Sequence, residues 1–144
     1  MADDEFQYID GYRQSCKYHR HGNVNIILSA PHGGTQMPDD VPDRTDGIWT
    51  DTSDAASNSS DKRRYKTSVV RDSRTDEFAA NVAKELRKIR QVKPFVVIGT
   101  WHRVKVDFNR EVCEGTLNHP EAIRAYESYH AYLNDAVRRV NEQF

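Results

Sequence analysis

His32 is the first residue whose type and setting could do chemistry. It stands between Pro31 and the pair Gly33-Gly34, just beyond the apolar run Val24-Asn25-Ile26-Ile27-Leu28. Glycines let a metal or anion approach the backbone, and the ends of strands are where open α/β sheets bind ligands. An ordinary loop histidine beside a Gly-Gly turn is the plainer reading. Asp72 and Asp76 flank the start of a predicted helix. There they either stabilise the helix dipole, by roughly 0.3–1 kcal/mol each, or supply an oxygen ligand to a metal shared with His32. Zinc accepts such mixed ligands, and its catalytic sites normally have three protein ligands plus water. The His-Glu-x-x-His signature is absent, since no His is followed directly by Glu.

A second candidate constellation is Arg103 to Arg110. Alternation puts Arg103, Lys105 and Asp107 on one face of a predicted strand and Val104, Val106 and Phe108 on the other, with Asn109-Arg110 closing it. The arginine fork binds a carboxylate through two parallel hydrogen bonds, and Asn adds a neutral donor beside it. Asp107 could orient either arginine. An exposed strand face with mixed charges is the competing reading. His130 falls on an apolar helix stripe and reads as a core histidine. His102, His119 and Cys113 carry no sharper signal, and no phosphate-binding or dinucleotide glycine pattern is present.

The elements that must position these residues follow from periodicity. Val24 to Leu28, bounded by Gly22-Asn23 and Pro31, predicts a buried strand. Phe78, Val82, Leu86 and Ile89, supported by Ala79 and Ala83, predict an amphipathic helix capped by Ser73 or Thr75 and stopped by Pro94. Phe95-Val96-Val97-Ile98 predicts the next strand. A last helix starts at Asn118 or His119 with Pro120 in its first turn. Its apolar stripe runs Ile123, Tyr126, His130, Leu133, Val137, Val140. Residues 1–22 form a polar segment in which Lys17, His19, Arg20 and His21 read as a surface turn. Residues 35–70 form a long polar loop whose tract 50–66 reads as a lid or a disordered stretch. Strands mixed with helices indicate an α/β class around a partly parallel sheet.

Composition narrows the partners. The 144 residues amount to one domain, residues 1–144. Leu, Ile, Val and Phe make up only about one residue in five, at the edge where disorder becomes plausible. Twenty-one basic against 22 acidic residues leave a charge of -1, which argues against wholesale disorder and against nucleic acid or an anionic membrane as the main partner. No apolar run is long enough to cross a bilayer. With no visible secretory signal, Cys16 and Cys113 read as reduced thiols of a cytoplasmic protein.

Taken together, Ser29-Ala30-Pro31-His32-Gly33-Gly34, Arg71-Asp72-Ser73-Arg74-Thr75-Asp76-Glu77-Phe78-Ala79 and Arg103-Val104-Lys105-Val106-Asp107-Phe108-Asn109-Arg110 resemble the N-formylglutamate amidohydrolase family. Tyr129-His130 resembles that family's Tyr-His pair. The resemblance spans about residues 24 to 140. It implies a zinc hydrolase related to the zinc carboxypeptidases, with a mixed, partly parallel sheet flanked by helices, which cleaves N-formyl-L-glutamate to formate and glutamate. Carried over by position, His32 and Asp72 would bind Zn2+, with Asp76 or Glu77 in reserve. Asn109 and Arg110 would clamp the substrate carboxylate, and Arg103 would polarise the scissile carbonyl. The family's third ligand, a histidine, and its general-base glutamate lie beyond the helix that Tyr126 to Val140 resembles, so the fold is expected to be incomplete at the C-terminus. Two expectations follow. One is self-association through an uncovered stripe on the last helix. The other is a non-catalytic relative that binds a small carboxylate or an acidic partner through Arg110 and Asn109.

Overall fold

Phe95, Val96, Val97, Ile98 and Gly99 form the innermost strand because the run is apolar on both faces, and all five are buried. In the computed structural model, which describes residues 6–44, 47–48, 64–65 and 68–144, the elements in chain order are these. Strands β1 (Ile9–Asp10), β2 (Cys16–His19) and β3 (Ile27–Ala30) come first, with a 3-10 turn at Tyr12–Gln14. A separate hairpin, β4 (Gly47–Ile48) and β5 (Arg64–Tyr65), precedes α1 (Thr75–Arg90). β6 (Phe95–Gly99), α2 (Val112–Thr116) and α3 (Pro120–Gln143) complete the chain.

The main sheet has the order β1-β2-β6-β3. β3 runs parallel to β6 with Leu28 opposite Val96, while β2 runs antiparallel to it with Tyr18 opposite Val97. The sheet is therefore mixed and the fold α/β. Alternation along β6 divides the core in two. Val96 and Ile98 meet Ala30, Ala79 and Ala83 under α1, and Phe95 and Val97 join Tyr18, Trp101, Phe108, Ala122, Ala125 and Tyr129 under α3.

Both helices present alanine to the sheet, and this is how a chain so poor in large aliphatic residues builds a core. The expected face of α1 is displaced by one residue. Ala79 and Ala83 are buried, Val82 and Leu86 are half-buried, and Phe78 and Ile89 are 70% and 65% exposed. α3 shifts likewise: Ala122, Ala125, Tyr129 and Ala136 are buried, while Val137 is exposed and Ile123, Tyr126, His130, Leu133 and Val140 are half-buried. Large apolar residues dominate a periodicity reading, but close helix-on-sheet contact favours the smallest side chain.

Four further expectations are corrected. The strand expected at Val24 to Leu28 is β3, three residues later at its start, and it lies at the sheet edge rather than wholly buried. The polar N-terminal segment supplies β1 and β2, and His19 is buried there, with its Nδ1 donating to the Pro94 carbonyl at 3.1 Å. Neither Ser73 nor Thr75 caps α1. Arg74 takes that place in the left-handed region at φ 66°, and the Thr75 hydroxyl donates back to the Asp72 carbonyl at 3.0 Å. Arg103 to Arg110 forms turns, not a strand. The start of α3 is as expected, with Pro120 in its first turn and His119 Nδ1 accepting from the Glu121 N–H at 3.2 Å. Most of the tract 50–66 lies outside the described residues. No helix among the described residues is long and apolar enough to cross a membrane.

Candidate functional site

The parallel pair β3–β6 delivers two loops to one end of the sheet, His32 following β3 and Trp101 to Arg110 following β6. Glycine makes the convergence possible. A Cβ on Gly33 would stand 2.5 Å from the Asp76 nitrogen at the start of α1, and one on Gly34 would stand 2.4 Å from the Thr100 carbonyl carbon. The backbone N–H of Asp72 donates to the His32 carbonyl at 2.9 Å, which ties the two candidate ligands together through the main chain.

Asp107 is the centre of the site, and it is fully buried. Its Oδ1 accepts from His32 Nε2 at 2.6 Å and from the Asn109 N–H at 2.9 Å, and its Oδ2 accepts from Arg103 Nε at 2.9 Å. Arg44 Nη2 stands 3.7 Å and Arg110 Nε 3.9 Å from the same Oδ2. Burial alone would raise the Asp107 pKa. The bonds from His32, Arg103 and the Asn109 amide outweigh it and hold the carboxyl well below the usual carboxylate range. Three guanidinium groups crowd this one ion.

An ionised carboxylate only accepts hydrogen bonds, so Nε2 of His32 carries a proton. His32 Nδ1 then faces Asp72 Oδ2 at 3.3 Å. That is longer than a charge-assisted N–H···O bond, about 2.7–2.9 Å. It equals the spacing of two ligands on one tetrahedral zinc, about 3.3 Å when each bond is about 2.0–2.1 Å. A histidine whose second nitrogen donates to a carboxylate is the arrangement that orients metal-ligating imidazoles. His32 is 7% exposed, whereas the Asp72 side chain is 54% exposed, so the open side lies toward Asp72.

The other sequence candidates divide. Arg103 is buried, with Nε on Asp107 and Nη1 on the Val70 carbonyl at 3.2 Å. Asn109 and Arg110 are exposed; Arg110 Nε is 3.9 Å from both Asp107 and Glu114, beyond hydrogen-bond length from either carboxylate. Asp76 packs beneath Gly33, with its Oδ1 3.8 Å from Arg71 Nη2, and Glu77 is turned to Arg74 at 2.9 Å. His130 donates from Nε2 to the Phe108 carbonyl at 2.8 Å. Among the described residues no group of three or more His, Cys, Asp or Glu is placed to hold a metal.

Sequence reasoning missed Arg44 entirely. It is buried and donates to the carbonyls of Arg103, Glu114 and Ser68, at 2.7–3.1 Å. It also placed Lys105 on the polar face of a strand, whereas Lys105 lies in a turn, buried and paired with Asp43 at 2.8 Å. Nothing in the sequence around Arg44 signals this, because its partners lie across the fold. No family model, curated protein or solved structure matches the chain.

Proposed function

We propose that the protein is a metal-dependent hydrolase of the N-formylglutamate amidohydrolase type, cleaving the amide of an N-formyl or N-acyl amino acid, on a carboxypeptidase-like fold. One observation carries the reading. His32 Nδ1 and Asp72 Oδ2 stand 3.3 Å apart while His32 Nε2 is held by Asp107 at 2.6 Å. These residues fit two protein ligands of Zn2+, one nitrogen and one oxygen, with the imidazole already turned by a carboxylate. Zinc bound there supplies a water whose pKa is lowered toward about 7 and a Lewis acid for the scissile carbonyl.

The chain's own residues orient the ligand imidazole and position the substrate. Asp107 keeps the proton on Nε2, so that Nδ1 presents its lone pair. Arg110, held at longer range than a hydrogen bond from both neighbouring carboxylates, receives the substrate carboxylate through its fork, and Asn109 adds a neutral donor beside it. Arg103 fixes Asp107 and contributes positive charge behind the reacting carbonyl, where negative charge develops. A non-catalytic reading is favoured by a separate fact, that only two ligand candidates meet among the described residues. In it, Arg110 and Asn109 bind a small carboxylate or an acidic partner without turnover.

The test is zinc content per purified chain alongside formate release from N-formyl-L-glutamate. About one zinc, lost in both His32→Ala and Asp72→Ala, together with Arg110-dependent formate release, supports the hydrolase. Metal-free protein that binds the compound through Arg110 without cleaving it establishes the second reading. Neither metal nor Arg110-dependent binding removes both.

A further inference from the structure

We propose that Tyr126 and His130 are positioning residues for the Asn109–Arg110 pair and set the affinity of the site for a carboxylate. The inference rests on the reading of Arg110 as the carboxylate-binding residue and deepens it.

The segment Asp107 to Arg110 belongs to neither strand nor helix. Asp107 is fixed by Gly115, His32 and Arg103, and the residues after it are held from α3. Tyr126 Oη donates to the Arg110 carbonyl at 2.7 Å, and His130 Nε2 donates to the Phe108 carbonyl at 2.8 Å. The two side chains are one helical turn apart, and their rings lie 4.3 Å from each other. Between them, Tyr129 stacks on the buried Phe108 ring at 4.5 Å and 16°. The carbonyls on either side of Asn109 are therefore both gripped by one helix face, and the Asn109 amide is gripped from the opposite side by Asp107 Oδ1 at 2.9 Å.

The Arg110 side chain is 43% exposed, and its two carboxylate neighbours stand 3.9 Å away. Neither carboxylate locks its fork, so what the protein fixes is the backbone from which the side chain projects, and α3 holds that backbone. Holding a binding group in place before the ligand arrives reduces the ordering cost of association. Tyr126 and His130 touch neither metal nor substrate in this scheme, and they act through Arg110.

Tyr126→Phe removes one oxygen and keeps the ring against His130. Calorimetric binding of N-formyl-L-glutamate, to zinc-loaded and to chelator-treated protein, should weaken roughly five-fold, the size of one lost hydrogen bond. Zinc content should not change. In an Arg110→Ala background the same substitution should have a clearly smaller effect, because only Asn109 is left to position. His130→Gln, which keeps an N–H donor of similar reach, should bind more tightly than His130→Leu. Weakening of equal size in both backgrounds, or a lowered melting temperature with unaltered binding, would assign Tyr126 to the fold alone and overturn the inference. If Arg110→Ala itself leaves binding unchanged, the carboxylate reading fails first and this inference falls with it.

Discussion

Asp107→Asn is the most informative single change, since it keeps the shape of the side chain and deletes the charge on which the site converges. The wild-type carboxylate accepts three close bonds, from His32 at 2.6 Å, Arg103 at 2.9 Å and the Asn109 amide at 2.9 Å, with Arg44 and Arg110 within 4 Å. An amide has one accepting oxygen, so one end must present N–H groups to a donor. Arg103 and Arg44, both buried, then lose their counter-ion. Removing one partner of a buried pair costs about 3–5 kcal/mol. For a domain of this size each kcal/mol moves the melting temperature by about 3 °C, so a fall of roughly 10–15 °C is expected. His32 would also lose the acceptor that fixes its tautomer, and if His32 and Asp72 bind zinc as proposed, that affinity should drop about 10–100-fold. Urea unfolding with an unchanged m-value, and zinc titration against a competing chelator, measure the two effects separately. A loss below about 1 kcal/mol with unaltered zinc affinity would show that Asp107 neither anchors the arginines nor orients His32.

Two further outcomes can be checked independently. Burial lowers the His19 pKa, against a weaker raising effect of its bond to the Pro94 carbonyl. The unfolded chain therefore takes up this proton at higher pH than the folded one, so the stability contribution is complete above about pH 6.5 and is lost as pH falls below it. Unfolding midpoints at pH 7.5 and 5.5 should differ more in wild type than in His19→Gln, which retains His102 and every other titrating group; equal differences would rule out this role for His19. Gln91, exposed at the end of α1, sits in the left-handed region at φ 55° and donates its N–H to the Arg87 carbonyl at 2.9 Å. Gln91→Gly should stabilise the protein by about 0.5–1 kcal/mol in denaturant titration, and a destabilisation would mean that the side chain makes a compensating contact.

What could be read from the sequence was local. Phe95 to Ile98 declared itself as a strand because four apolar residues follow a proline. The span of α1 followed from its apolar period and the Pro94 stop, although its expected caps do not form, and the start of α3 followed from His119-Pro120. His32, Asn109 and Arg110 stood out by type and neighbours, whereas Asp72 was set apart from Asp76 only by the family resemblance. What could not be read depends on distance along the chain. Lys17 and His19 resemble a surface turn until β6 pairs with them, and alanine becomes a core residue only when a sheet lies beneath it. Val104 to Phe108 alternates like a strand, yet its polar members turn inward. Lys105 meets Asp43, and Asp107 meets His32, 75 positions away.

The buried charges also account for a composition that borders on disorder. Large aliphatic residues are too few to fill both faces of the sheet, and the volume at its C-terminal end is taken by Arg44, Arg103, Lys105, Asp107 and His32, all buried. Such a cluster is weak evidence for stability, because desolvating the ions offsets most of their attraction. What it does supply is sign. Three guanidinium groups stand within 4 Å of the Asp107 carboxylate, and Glu114 is a second carboxylate 3.9 Å from Arg110. Arg44 and Arg103 are buried, so Arg110 is the member of the three that solvent reaches. Under the proposed carboxylate reading, a site built this way would favour an anionic ligand over a neutral one of the same shape, at the residue adjoining the Asp107–His32–Asp72 chain of contacts.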